Sequence, residues 1–484
     1  MNFKMIGRFI AQILVIEAVM MVPALGISLT DGEKETAAFA WSILLTAAAA
    51  LALFLLCRRA KRGLYAKEGY ACVGLCWIAM SLLGCLPFVF SGAIPRYIDA
   101  LFEMVSGFTT TGASILTDVD SLPNSILYWR SFAHWVGGMG MLVFLLAVVP
   151  TGDRTSGFTM HLMRAESPGP DVGKLVPRIK QTAKILYIMY IVLSVVNLVF
   201  LLAGGMPPLE ALCTMFGTAG TGGLGIKNDS MGSYSPYLQN VTTVFMILFG
   251  VNFSCFYFLL LRDVKAVLRD EELRLYLGLI AGSTALIVFD LRGHFATFGE
   301  TLRHAAFQVG SIITTTGFST DNYELWPSLS KSILLFLMFV GACAGSTGGG
   351  LKCARLLILL KSMRNNVRAV LHPQRIQAVR VNGRVVSDEL VKNVNAYFVA
   401  YVQIMVISTL LISFDGFSMI TNISAVTACF SNVGPGFGLV GPMGGYEEFS
   451  VFSKLVLIVD MLAGRLEIFP ILVLFSRSAW RHGS

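Results

Sequence analysis

Four short runs of threonine and glycine carry the most distinctive chemistry in this chain. The first reads Phe108-Thr109-Thr110-Thr111-Gly112-Ala113-Ser114 and the second Gly217-Thr218-Ala219-Gly220-Thr221-Gly222-Gly223. The third reads Ile313-Thr314-Thr315-Thr316-Gly317-Phe318-Ser319 and the fourth Ser431-Asn432-Val433-Gly434-Pro435-Gly436. Threonine hydroxyls and backbone carbonyls are neutral oxygen donors. Glycine reaches backbone angles that other residues avoid, which lets successive carbonyls point the same way. A set of such oxygens can replace the water shell of an alkali cation. The candidate ligands are Thr110, Thr111, Thr221, Thr315, Thr316, Asn432 and Val433. With Gly112, Gly222, Gly317 and Gly434 taken as equivalent, the separations are 110, 95 and 117 residues. One such run carries no weight, but four at near-even spacing form an internal repeat. The competing reading is that small residues simply ease helix packing in a membrane.

The elements that must position these runs are membrane spans. Of 484 residues, 55% are hydrophobic and 14% charged, against roughly 25% charged in soluble domains. That composition excludes most soluble enzymes and nucleic-acid readers. A span needs about 20 apolar residues, and ten stretches qualify: 6–28, 37–57, 70–94, 126–149, 185–204, 241–261, 275–290, 330–362, 395–414 and 451–475. The net charge of +8 is unevenly placed. The even-numbered loops hold 21 Lys and Arg residues, among them Arg58, Arg154, Arg262 and Arg364, and the odd-numbered loops hold five: Lys34, Arg96, Lys227, Arg292 and Arg303. The positive-inside rule puts the even loops and both termini in the cytoplasm. The basic loops also suit a docking surface for a cytoplasmic partner. All four Thr-Gly runs then fall in long outer loops between spans of the same orientation, so the repeats are parallel. The outer loops hold 15 of the 29 acidic residues, which favours cations at the mouth.

Two further features lie deeper. The eighth span is interrupted at Gly345, Ser346, Thr347, Gly348, Gly349 and Gly350, where each glycine costs about 1 kcal/mol of helix relative to alanine. It reads as a movable obstruction below the third run, or as a packing kink. The last span carries Asp460, Arg465 and Glu467, and ionisable residues inside a membrane are costly. Arg465 reads either as a cation-repelling group that holds the 345–350 loop closed or as a structural pair with Asp460 or Glu467. Lys352 follows the glycines without the Lys-Ser/Thr order of a phosphate loop, so no nucleotide site is expected. The nine cysteines and His134 read as packing residues, and no clustered catalytic set appears, so the chain is not expected to be an enzyme.

On the Thr-Thr-Thr-Gly runs, on Tyr128-Trp129-Arg130-Ser131 through His134-Trp135-Val136-Gly137-Gly138-Met139-Gly140, and on Gly345-Ser346-Thr347-Gly348-Gly349-Gly350-Leu351-Lys352, the chain resembles the membrane subunits of Trk-type potassium uptake systems, within the Trk/Ktr/HKT superfamily. The resemblance covers essentially the whole chain. It implies an all-α polytopic membrane protein: an N-terminal two-helix hairpin (1–62), then four M1-P-M2 repeats around one pore (63–155, 156–268, 269–365 with a broken second helix, and 366–484). It implies potassium as the ion held at the seven ligands above, a glycine-loop gate with Arg465, a location in the bacterial plasma membrane, a homodimer among lipid, and a cytoplasmic TrkA-like nucleotide-binding ring. No nucleic acid is implied. The alternative is a potassium symporter coupled to protons or sodium. The fourth run departs from the pattern by lacking threonine before Gly434.

Overall fold

The computed structural model describes residues 2–58, 66–138, 140, 179–372 and 378–476. The end of the fourth expected span, the basic residues Arg154, Arg164, Lys174 and Arg178, and the expected limits at 62 and 155 lie outside them. The expected limit at 365 falls inside the helix Cys353–Leu371.

Among the described residues, six helices are long and apolar enough to cross a membrane, or seven if one bent pair is counted as a span. Ten were expected from apolar length. Three of the four that fall short are broken where continuity was expected, and the fourth, 126–149, leaves the described residues after Gly138. The stretch 241–261 is Pro236–Phe249 followed by Phe253–Leu260, bent by 90°. The stretch 330–362 is Ser328–Val340 and Cys353–Leu371. The stretch 451–475 is Val451–Arg465 and Phe469–Phe475. At the last break Glu467 and Ile468 take φ of 58° and 68°, a conformation that is a genuine outlier for a β-branched residue.

Four of the shorter helices lead into the Thr-Gly runs: Tyr97–Phe108, Pro208–Gly220, Phe298–Ile313 and Met419–Phe430. At 1.5 Å per residue they are about 18–24 Å long, too short to cross about 30 Å of hydrocarbon. Their starts are set locally. Pro208 is at the first helical position of one, and the Thr297 and Ser418 side chains accept the N–H groups of Glu300 and Thr421 to cap two others. Each is buried along nearly all of its second half, from Ala100 to Phe108 in the first. The long helices are apolar outside instead: Trp41, Leu44 and Leu51 on Thr36–Leu56 and Val192, Val195 and Val199 on Ile179–Ala203 are exposed. In lipid that is the favourable side for such residues. The molecule therefore has an inner layer of short helices inside an outer layer of long ones.

The N-terminal helices Phe3–Met20 and Thr36–Leu56 pack on each other and on Ala66–Gly84, beside the first short helix. Among the described residues the only strands form a two-stranded antiparallel hairpin, Arg380–Val381 with Arg384–Val385, which the apolar pattern did not predict.

Candidate functional site

Each short helix ends in the same backbone figure. Thr110, Thr221, Thr315 and Asn432 take left-handed φ of 55°, 54°, 59° and 55°. Their N–H groups donate to Gly107, Thr218, Ile312 and Cys429. The next N–H in each turn reaches five residues back: Thr111 to Ser106, Gly222 to Gly217, Thr316 to Ser311 and Val433 to Ala428. The third residue is always a glycine of positive φ: Gly112 (81°), Gly223 (67°), Gly317 (86°) and Gly434 (95°).

This corrects the register of the second turn by one residue. Gly223, not Gly222, is the counterpart of Gly112, and Gly222 stands where the other turns have Thr111, Thr316 and Val433. Matching on the Thr-Gly pair misleads because two glycines follow Thr221. Gly222 has its own reason to be glycine. A Cβ there would run into the His134 imidazole. His134 is fully buried. Its Nδ1 lies 2.8 Å from the Gly107 carbonyl, and the Leu224 N–H donates to its Nε2 at 3.3 Å. The ring therefore ties the end of the first short helix to the return of the second turn.

The four turns close on one another. A Cβ at Gly112 would overlap the carbonyl oxygen of Gly222, and one at Gly223 that of Thr316. A Cβ at Gly317 would overlap the carbonyl of Val433, and one at Gly434 that of Thr111. The relation passes from the first turn to the second, third and fourth and back to the first. Four equivalent carbonyl oxygens thus belong to a closed ring of backbone. A cavity of about 290 Å³ touches all four glycines of the ring and, at its rim, Glu447 and Glu448.

Side chains differ around this common frame. The hydroxyls of Thr111 and Thr316 lie 2.7 Å from those of Thr109 and Thr314, which themselves donate to Val105 and Gly310 carbonyls at 2.6 Å. A hydroxyl has one proton, so Thr111 and Thr316 spend theirs inside their own turns. Their carbonyls, not their hydroxyl protons, face the neighbouring turn. The Thr110 hydroxyl is buried and has no hydrogen-bond partner among the described residues, Thr221 donates to Gly220 at 2.7 Å, and Thr315 accepts the Gly349 N–H at 2.7 Å. Asn432 replaces threonine in the fourth turn. Its Nδ2 donates to the Thr111 hydroxyl at 2.9 Å and the Met461 carbonyl at 3.0 Å, so the odd residue laces the fourth turn to the first.

Behind the first turn lies a buried ion pair that the sequence reading did not single out. Arg130 Nε donates to Glu103 at 2.6 Å. Its other nitrogens reach the Gly225 carbonyl at 2.8 Å and the Ser114 hydroxyl at 3.0 Å, while Glu103 also accepts from Ile115 N–H at 3.0 Å. With every polar atom of the guanidinium fork engaged, the pair fixes the returns of two turns. Removing one partner of such a pair costs about 3–5 kcal/mol.

The glycine loop at 341–352 packs under the third and fourth turns. A Cβ at Gly348 would press on Thr314 and Thr315, and one at Gly349 on Ser431 and Asn432. The loop is held at several points. Cys343 N–H donates to Gly250 and Phe253 N–H to Gly345, at 3.0 and 3.1 Å, pinning it to the 90° bend of the second unit. Lys352 Nζ donates to the Gly348 carbonyl. Arg465 Nη1 donates to the Thr347 carbonyl at 2.7 Å, and its Nη2 to the carbonyls of Gly137 and Gly138. Arg465 therefore spans from the glycine loop to the far side of the ring's floor. Asp460 instead accepts from Ser408 at 2.7 Å, and Glu467 pairs with Arg355. Among the described residues no group of three or more His, Cys, Asp or Glu residues could hold a metal.

Comparisons with known proteins place the chain in a family. The family model for TrkH, a cation transport protein, matches residues 34–291 and 294–481. The Trk system potassium uptake protein TrkH of Salmonella typhimurium is 35% identical over 99% of this chain and 100% of its own length. TrkG of Escherichia coli K12 is 33% identical over 86% of each chain. The crystal structure of the potassium transporter TrkH from Vibrio parahaemolyticus superposes with a TM-score of 0.87 at 30% identity, covering 99% of this chain and all of that one. With its multi-pass apolar helices and a family match across almost its whole length, the chain belongs to the TrkH family of cation transport proteins.

Proposed function

We propose that the chain takes up potassium across a bacterial plasma membrane through a single pore formed by four M1-P-M2 repeats. The ring of four turns is read as its ion filter, with the carbonyls of Thr111, Gly222, Thr316 and Val433 as one layer of ligands. The hydroxyls of Thr110, Thr221 and Thr315 and the Asn432 amide oxygen are read as a second layer below it. The observation that carries this reading is closure: four glycines each seated on a neighbour's carbonyl, all lining one cavity. Neutral oxygens arranged in advance around an axis exchange for a cation's water shell without large rearrangement. Potassium is the ion in the names of the relatives, and those names supply the choice of ion here.

The loop 345–350 with Arg465 is the gate in this reading. It packs against the lower edge of two turns, and a guanidinium below a cation filter raises the barrier to the next cation. The symporter alternative gains no support from the relatives or the fold. A cytoplasmic partner acting on the basic loops and a homodimer complete the proposal. Rubidium uptake into proteoliposomes holding the full chain tests it. Uptake that Gly112→Val abolishes supports the filter, and uptake that survives the substitution sinks it.

A further inference from the structure

One tie on the glycine loop continues to the protein surface. Glu272 is 7% exposed and lies in the first turn of the helix Glu271–Asp290. Its Oε1 accepts the Ala344 N–H at 2.6 Å, at the start of the loop. The two residues before it are bound to the hairpin at 380–385. Asn382 Oδ1 accepts the Glu271 N–H at 2.8 Å, its Nδ2 donates to Asp270 Oδ2 at 2.8 Å, and its own N–H donates to the Glu271 carboxylate at 3.1 Å. Lys361 joins the same cluster, donating to the Glu271 carboxylate and, at 2.7 Å, to the Arg380 carbonyl. Asn382 and Gly383 hold the hairpin turn at φ of 50° and 76°. Three consecutive residues thus grip the hairpin on one side and the loop on the other.

The stiffness of this linkage follows from its parts. Asp270 caps the helix by accepting the Leu273 N–H at 2.8 Å, so the first turn moves as a unit. Glu272 supplies a carboxylate, which binds an N–H more strongly than a neutral acceptor does. The hairpin itself is reachable: Arg380, Asn382, Gly383, Arg384 and Val385 are all exposed. We propose that Glu272 is a latch on the gate loop, and that the hairpin is the handle that works it. A displacement of the hairpin tilts the first turn of Glu271–Asp290, draws the carboxylate from Ala344 and frees the loop. The inference rests on the gate reading above. Glu272 and Asn382 act as positioning residues and touch no ion.

The test is basal rubidium flux into proteoliposomes of the full chain, with no partner added. Glu272→Met keeps the side chain's volume and removes the acceptor. Glu272→Gln keeps both. The latch predicts that Met raises basal flux about tenfold, equivalent to about 1.4 kcal/mol, and that Gln raises it threefold or less. Rubidium-over-sodium preference stays at the parent value in both. Asn382→Ala, on the exposed hairpin, raises basal flux about threefold alone and adds nothing to Glu272→Met. Equal effects of Met and Gln, additive effects of Asn382→Ala, or unchanged flux in Asn382→Ala overturn the proposal. The Asn382 variant decides the matter if Glu272→Met fails to fold. Arg465→Ala is measured alongside. A rise there without one in the Glu272 and Asn382 variants removes the latch and leaves the gate standing. No rise in any of them removes the gate reading itself.

Discussion

At the ring, three threonines (Thr110, Thr221 and Thr315) and Asn432 adopt one left-handed conformation, and four glycines seat the turns on each other's carbonyls. Beneath it, the helices that follow the turns part company. One bends by 90° at Gly250–Asn252, one opens into twelve irregular residues between Val340 and Cys353, and one breaks at Glu467–Ile468. The two regions answer to different demands. A ring of oxygens around an axis needs equal contributions, and hydrogen bonds of the backbone supply them whatever the side chains are. A part that moves needs only one unit to be different. In the proposed reading the loop after Val340 is that part, held by the side chains of Arg465, Glu272 and Lys352 and by backbone bonds to Gly250 and Phe253.

The comparison breaks most visibly at the ring. A Cβ at Gly112 or Gly223 meets a carbonyl oxygen of the next turn and is strained by φ of 81° or 67°. Gly112→Val and Gly223→Val are expected to reduce rescue of a potassium-uptake-deficient bacterium by more than a hundredfold in growth at limiting potassium. Because such a change alters the ring and not the loop, membrane insertion of the variant, read by its amount in the membrane fraction, should stay near the parent level. Growth like the parent's at either position would show that the ring is not the path.

Next in size is the loop. Arg465 donates to three carbonyls across the floor of the ring, and hydrogen bonds of a charged group contribute about 1.5–3 kcal/mol each. Their loss in Arg465→Ala should raise basal rubidium flux tenfold or more while leaving the rubidium-over-sodium ratio unchanged. A changed ratio with unchanged flux would assign Arg465 to the ring instead of the loop.

These two regions were not equally legible in the sequence. The four turns were, since Thr-Gly runs at near-even spacing betray a repeated backbone. The register of the second was not. Gly222 is glycine because of His134, a residue on the helix Asn124–Gly138 of another unit, and no local pattern carries that information. The glycine break of the third unit was visible in composition. The 90° bend at Gly250 was not, because Phe249-Gly250-Val251-Asn252-Phe253 stays largely apolar through it. Arg465 was picked out by the cost of charge in a membrane. Its partners, three carbonyls from two other units, had no signature, and neither did the Glu272–Ala344 bond. Apolar length and local composition report single elements; contacts between units are written in shape.

The register offers a finer test. The backbone at 222 accepts a side chain in the other three turns, as Thr111, Thr316 and Val433 show, so what Gly222→Ala meets first is the His134 ring. Uptake should fall about tenfold in Gly222→Ala and recover in part when His134→Ala makes room. The recovery is only partial because His134 also engages Gly107 and Leu224. Gly223→Ala, which meets backbone, should gain nothing from the same second change. Rescue at 223 but not at 222 would restore the register read from the Thr-Gly pairs.

The smallest effect belongs to the rim, where polar ties are exposed. Asn228 links the returns of the first two turns: its Oδ1 accepts the Val119 N–H at 2.7 Å and its Nδ2 donates to Asp118 at 3.0 Å. The hydrogen bond from Asn228 holds the Asp118 carboxyl below its ordinary value of 3.8. A depressed carboxylate contributes stability that is present above its unfolded value and is lost only as pH falls through the lower folded one. The group is therefore ionised throughout pH 5–8, and its contribution is constant there. The contact is fully solvated, where such interactions contribute little. Asp118→Asn should leave uptake within about a fifth of the parent between pH 5 and 8, as rubidium flux would record. A pH-dependent loss in that range would mean that the rim, and not only the ring it surrounds, takes part in handling the ion.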